Sequence, residues 1–226
     1  MDTSTMNILL YILILVIPII AQLRISSAYS KYKKQENSKG LSGFEVARKI
    51  LDANGLDDIY VVETNGNLTD HYDPSRKVIK LSKDIFHGNT IAAASVAAHE
   101  CGHAIQDKDS YTFMRIRSFL VPLVNLVSSF SWIVIIIGLF TEMFNIFVFG
   151  IGLISVTLVF QLVTLPVEFD ASKRAKEELV KLNLIDDGEN VGVKKMLDAA
   201  AMTYVASVLT SMLEILRLVL IFNDRD

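Results

Sequence analysis

Four long apolar runs organise this chain, and its polar residues are concentrated between them. Residues 6–23, 119–140 and 144–166 contain no Asp, Glu, Lys or Arg, and residues 202–222 contain only Glu214 and Arg217. Each run is close to the roughly 20 residues that a helix needs to cross the hydrocarbon core of a bilayer. The second and third are separated only by Thr141, Glu142 and Met143. That spacing predicts two antiparallel spans joined by a tight turn, because backbone inside lipid must satisfy its own hydrogen bonds. Glu214 and Arg217 stand three apart, hence on one helix face. Charge at that depth is costly, so the two are expected to turn into the bundle and pair.

The polar stretches, residues 24–118 and 167–201, read as a small α+β region. Ser42-Gly43-Phe44-Glu45 is a capping box opening a helix that runs to Asn54, with Gly55 as its stop. Ile59 to Glu63 and Val78 to Leu81 are expected as short strands, with the Asn65-Gly66 turn and a His71-Tyr72-Asp73-Pro74 loop between them. From Thr90 to Gln106 the chain is alanine-rich and free of proline, a helical pattern for which Asn89 is the expected N-cap. The two stretches, 95 and 35 residues long, are too small for an independent large core and are expected to pack on the membrane helices. The whole of residues 1–226 therefore reads as one integral-membrane domain.

Composition sharpens this picture. The 226 residues are 51% hydrophobic and carry a net charge of only −3, which gives no basis for nucleic acid as a partner. Arg24, Lys31, Lys33, Lys34 and Lys39 follow the first run, Arg115 and Arg117 precede the second, and Lys173, Arg174 and Lys176 follow the third. The positive-inside rule then places residues 24–118 and 167–201 in the cytoplasm and the short hairpin outside. Met1 to Ser4 has no basic residue, so the first run is expected to stay as an anchor and not to be removed as a signal peptide. The single cysteine, Cys101, allows no internal disulfide and is expected to be a packing residue.

The chemistry is concentrated in His99-Glu100-Cys101-Gly102-His103. On a helix the two histidines lie one turn apart on one face, where both rings can reach a single Zn²⁺, and Glu100 projects beside them as a candidate general base. Catalytic zinc takes a third protein ligand. Glu168, at the cytoplasmic end of the third apolar run, is the best candidate, since an antiparallel hairpin returns it to the neighbourhood of the HExxH helix. His71 and His87 are expected to be loop histidines bonded to backbone, with oxyanion donation as their alternative role.

These segments also carry a resemblance. Asp70-His71-Tyr72-Asp73-Pro74, Leu81-Ser82, the continuous stretch His87 to Gln106, and Pro166-Val167-Glu168-Phe169-Asp170-Ala171-Ser172-Lys173-Arg174-Ala175 resemble the YugP-type family of bacterial membrane zinc metallopeptidases, along essentially the whole chain. That family is similar in layout to the HtpX-like and CAAX-prenyl-protease group. The resemblance implies His99, His103 and Glu168 as zinc ligands, Glu100 as general base and a zincin-like arrangement at the cytoplasmic face of a bacterial cell membrane. One departure stands out: the wider group has Asp four residues after the ligand Glu to orient a histidine, whereas this chain has Ser172 there and its nearest acid is Asp170.

The expected protein is thus mainly α, with about four transmembrane helices and a small catalytic region. It would hydrolyse peptide bonds in a membrane-associated polypeptide, in a quality-control role by analogy. An extended substrate could pair with the edge strand expected near Val78 to Leu81. A scaffold holding zinc only structurally, or a hydrolase of lipid amides, are the alternatives.

Overall fold

The computed structural model describes residues 3–223 and is mainly helical. Its elements in chain order are α1 (Thr3–Tyr32), α2 (Gly43–Ala53), β1 (Tyr60–Thr64), β2 (His71–Asp73), β3 (Val78–Ser82), α3 (Lys83–His87), α4 (Ile91–Lys108), α5 (Thr112–Thr141), α6 (Phe144–Lys181), a 3₁₀ turn at Asp187–Glu189, and α7 (Asn190–Asn223). The chain ends, including the start of the Met1 to Ser4 segment, lie outside the described residues. Four helices are long and apolar enough to cross a membrane, and each includes one of the apolar runs. All four continue well past those runs.

The chain divides into two compact units. The first comprises Met1–Gln22, Arg115–Pro166 and Thr203–Asp226. The turn between α5 and α6 falls at the expected place, with Glu142 at positive φ of 56°. Small residues let these helices approach closely: a Cβ on Gly138 would meet the Phe147 backbone nitrogen at 2.6 Å, and one on Gly150 would meet Ile135 at 2.5 Å. Ile135, Phe147, Ile154 and Leu218 form the small apolar core there. Many other large apolar side chains point outward, Phe119 and Phe140 among the most exposed, as a lipid-facing surface requires. Glu214 is buried, and its carboxylate accepts from Arg217 Nη1 at 3.0 Å.

The second unit comprises Leu23–Met114 and Val167–Met202. Its centre is α4, in which Ala92, Ala93, Ala94, Ala97, Ala98, Cys101 and Ala104 are all buried. Small side chains let α2, the sheet and α6 come close to this helix. Cys101 is a packing residue, its Sγ 3.6 Å from the Ala47 carbonyl, and burial pushes its thiol well above the usual range. The α2 capping box forms as expected, with Ser42 and Glu45 exchanging hydrogen bonds. The N-cap of α4 is Thr90 and not Asn89: the Thr90 hydroxyl accepts from the Ala93 N–H at 3.2 Å.

The sheet departs further from expectation. Its order is β1-β3-β2, with β1 parallel and β2 antiparallel to β3. His71, Tyr72 and Asp73 are therefore strand and not loop, paired opposite Lys80, Ile79 and Val78. The segment Val78 to Leu81 is the middle strand, both of its edges are taken, and it cannot accept an added strand. Ile79 and Leu81 are completely buried. Leu81→Ala is expected to lower the stability of this unit by about 2–5 kcal/mol, read as earlier proteolysis of residues 23–114 in a thermal ramp.

Candidate metal centre

Two elements of the second unit supply the centre. α4 presents His99 and His103 one turn apart, with ring centroids 4.8 Å from each other, and α6 presents Glu168 opposite them. Contact between the two helices is possible because residue 102 is glycine: a Cβ there would stand 2.5 Å from the Ala171 carbonyl oxygen. His99 Nε2 lies 3.2 Å and His103 Nε2 3.6 Å from the same Glu168 oxygen. One donor atom from each of the three residues lies within 4.8 Å of the others. Tetrahedral zinc with ligand bonds near 2.0–2.1 Å places its donors about 3.3 Å apart. Two nitrogens and one carboxylate oxygen at these separations fit that ion, and all three side chains are shielded, Glu168 being only 2% exposed.

The structure also shows what holds the histidines in orientation. Gln106, fully buried, uses its amide Nε2 to donate to the Val167 carbonyl at 2.8 Å and to Asp170 Oδ2 at 2.9 Å. Both partners are acceptors only, so the amide orientation is fixed and its oxygen must face His103. His103 Nδ1 lies 3.0 Å from that oxygen, which also only accepts, and the ring proton therefore sits on Nδ1. In the neutral ring Nε2 then carries its lone pair toward Glu168, the form in which it could hold a metal ion. Asp170 is held in turn by Arg174 Nε at 2.7 Å, and Arg174 Nη1 donates to Asp109 at 2.6 Å. Asp170 thus acts on the site through Gln106. Ser172 contacts His99 directly, its Oγ 3.2 Å from Nδ1. Sequence reasoning missed Gln106; its place three residues after His103, on the same helix face, was the available signal.

Glu100 is 7% exposed. Burial drives its carboxyl up to about 7, with the Glu168 and Asp70 charges adding to the rise and His99 and the Tyr72 backbone amide opposing it. Asp70, also raised by burial, accepts from the Ser82 N–H at 2.7 Å and from its hydroxyl. The Tyr72 hydroxyl donates to Asp107 Oδ2 at 2.9 Å, tying β2 to α4; burial and that acid hold the phenol above its ordinary range. His71 and His87 stay apart from the cluster. His71 Nδ1 meets the Thr69 carbonyl at 2.8 Å, and His87 Nε2 meets Glu63 at 2.7 Å, both on the surface.

Four apolar helices and a shielded His-His-Glu cluster define the class: a membrane protein with a set of side chains able to hold one metal ion. The family model described as "Putative neutral zinc metallopeptidase" matches residues 7–223, and the chain belongs to that family. It is 47% identical over 207 residues to the "Putative membrane protease YugP" of Bacillus subtilis (strain 168), covering 91% of this chain and 92% of that protein. No solved structure matches it. Zinc is accordingly the cofactor of this chain's family.

Two outcomes follow from this geometry. Gln106→Leu is expected to weaken zinc binding about 10- to 100-fold, as loss of a group orienting a ligand histidine does, measured by competition with a chromophoric chelator. In chelator-stripped protein, folded Glu100 keeps its proton to about pH 7 while the unfolded chain releases it near 4.5. Wild-type stability should therefore fall across that window relative to Glu100→Gln, a difference that paired melting curves at the two ends would reveal.

Proposed function

We propose that this protein is a zinc metalloendopeptidase of the HExxH type, working as one membrane-embedded enzyme over residues 1–226. The carrying observation is the convergence of His99, His103 and Glu168 on one point with Glu100 buried beside it. His99, His103 and Glu168 are the three ligands in this reading. Zinc held there supplies Lewis acidity, lowering the pKa of a bound water to about 7 and polarising a carbonyl. Glu100 is the general base: its buried carboxylate takes a proton from the attacking water, whose oxygen bonds to the scissile carbonyl carbon, and delivers that proton to the amine as the C–N bond breaks. Ser172 and the Gln106–Asp170–Arg174 chain keep both imidazoles aimed while this happens.

The substrate in this reading is a polypeptide laid in extended form along the free edge of β2. That strand, unlike β3, has an unpaired side, and its Tyr72 amide already acts on Glu100. The basic residues flanking the apolar runs support a catalytic region facing the cytoplasm of a bacterial cell membrane. Turnover of membrane proteins in quality control is the role this arrangement suits.

Glu100→Gln should abolish cleavage of a peptide library while retaining stoichiometric zinc, and Glu168→Ala should lose both zinc and cleavage. An active, zinc-loaded Glu100→Gln enzyme would remove Glu100 from the mechanism. Zinc retained by Glu168→Ala would move the third ligand elsewhere.

A further inference from the structure

The first unit contains a cavity of about 510 Å³, in the size range of small ligand sites. Its lining is unusual for the inside of a membrane bundle: Ser128, Ser131, Thr157, Thr210, Glu214 and Arg217 all reach it. Each of the four apolar runs contributes, and every lining residue lies within about five residues, or roughly 8 Å, of the middle of its run. The cavity therefore sits near half depth. Tyr11 and Trp132 also line it and are 49% and 48% exposed, so aromatic side chains form an outward-facing rim. Arg217 lies 5.0 Å over the Tyr11 ring while it holds Glu214.

The polar groups are incompletely used. Thr210 Oγ1 is buried without a hydrogen-bond partner among the described residues. Ser128 and Ser131 reach only carbonyls of their own helix, at the long distances of 3.5 and 3.4 Å. A lipid cannot complete them, because its polar headgroup lies about 15 Å from the midplane and only hydrocarbon arrives at this depth. Hydrocarbon packed here leaves the Thr210 hydroxyl without a partner and the ion pair and the weakly bonded serines with unused hydrogen-bonding capacity. What reaches half depth with both donors and acceptors is a side chain carried by another membrane-spanning helix. A carboxamide or hydroxyl near the centre of that helix supplies the donor or acceptor that the Thr210 hydroxyl lacks.

We propose that this cavity is a recognition site for transmembrane helices bearing a carboxamide or hydroxyl side chain near mid-span. Resting on the peptidase reading above, the site selects as substrates membrane-inserted polypeptides whose polar intramembrane residue has no partner of its own. Binding here is separable from cleavage.

Trp132 is the only tryptophan of the chain and lines the cavity, so its fluorescence reports occupancy directly. Full-length Glu100→Gln protein in phosphatidylcholine vesicles would be titrated with a synthetic Lys-flanked polyleucine helix carrying a central nitroxide, with either Asn or Leu one turn away. The Asn helix is expected to reach half-maximal quenching at a mole fraction roughly three- to tenfold lower, the range that one or two interhelical hydrogen bonds supply in a bilayer. The paired change Ser131→Ala with Thr210→Val, checked for an unchanged far-ultraviolet circular dichroism spectrum in the same vesicles, should remove the difference. Equal quenching by the two helices overturns the proposal, as does quenching by lipid with a mid-chain nitroxide that neither helix displaces. Should the paired variant misfold, the comparison of Asn with Leu on the Glu100→Gln protein with its cavity unchanged still decides. Because no cleavage is read, a failed peptidase assignment would leave this result standing, and a failed binding result would leave the metal site untouched.

Discussion

Everything at the metal centre depends on how closely α4 and α6 approach. Where Gly102 meets Ala171 there is no room for even one methyl group, and that contact places the Glu168 carboxylate opposite the rings of His99 and His103. The alanines of α4 extend the same logic around the helix, letting α2 and the sheet close on it from other sides. A helix so thoroughly buried has little freedom to rotate or slide, and imidazoles mounted on it inherit that rigidity. The constraint is steric first and chemical second.

On this base the polar groups are arranged in a directed chain. Arg174 can only donate, Asp170 can only accept while ionised, and the amide of Gln106 converts that polarity into an acceptor facing His103. Each link supports the next: the acceptors Val167 and Asp170 turn the Gln106 oxygen toward His103, and Arg174 holds Asp170 in place. His99 has a looser partner, since the Ser172 hydroxyl can rotate to donate or accept. The two imidazoles are therefore not equivalent: one has its proton position imposed, and the other adapts.

Much of this was legible in the sequence because the signals were large or chemically rare. Four apolar runs are each long enough to cross a bilayer, the capping box at Ser42 and Glu45 is a local device, and two histidines four apart with an acid between them need only a helix to converge. Glu168 followed from the turn at Glu142, which returns the third run alongside the second. What stayed hidden was set by tertiary pairing. Three residues at His71–Asp73 carry no period of their own and become a strand only because β3 offers an edge, Asp70 is anchored by Ser82, and Tyr72 reaches Asp107. The parallel match of β1 with β3 likewise depends on the chain crossing over between them. Gln106 gave only the weak signal of its place three residues after His103, because glutamine is at ease on any helix, and its role emerges when Val167 and Asp170 arrive from α6.

The brevity of β2 has a consequence for selectivity. A strand of three residues spans about 10 Å, so in the proposed reading it can grip only the few backbone units around a scissile bond. Backbone amides are the same in every polypeptide, and so short a grip carries little information about sequence. An enzyme built this way discriminates poorly at the point of cutting. Its choice of target must be made by where a chain is held and how long it stays, which makes residence in the membrane the discriminating variable and the peptide sequence a secondary one.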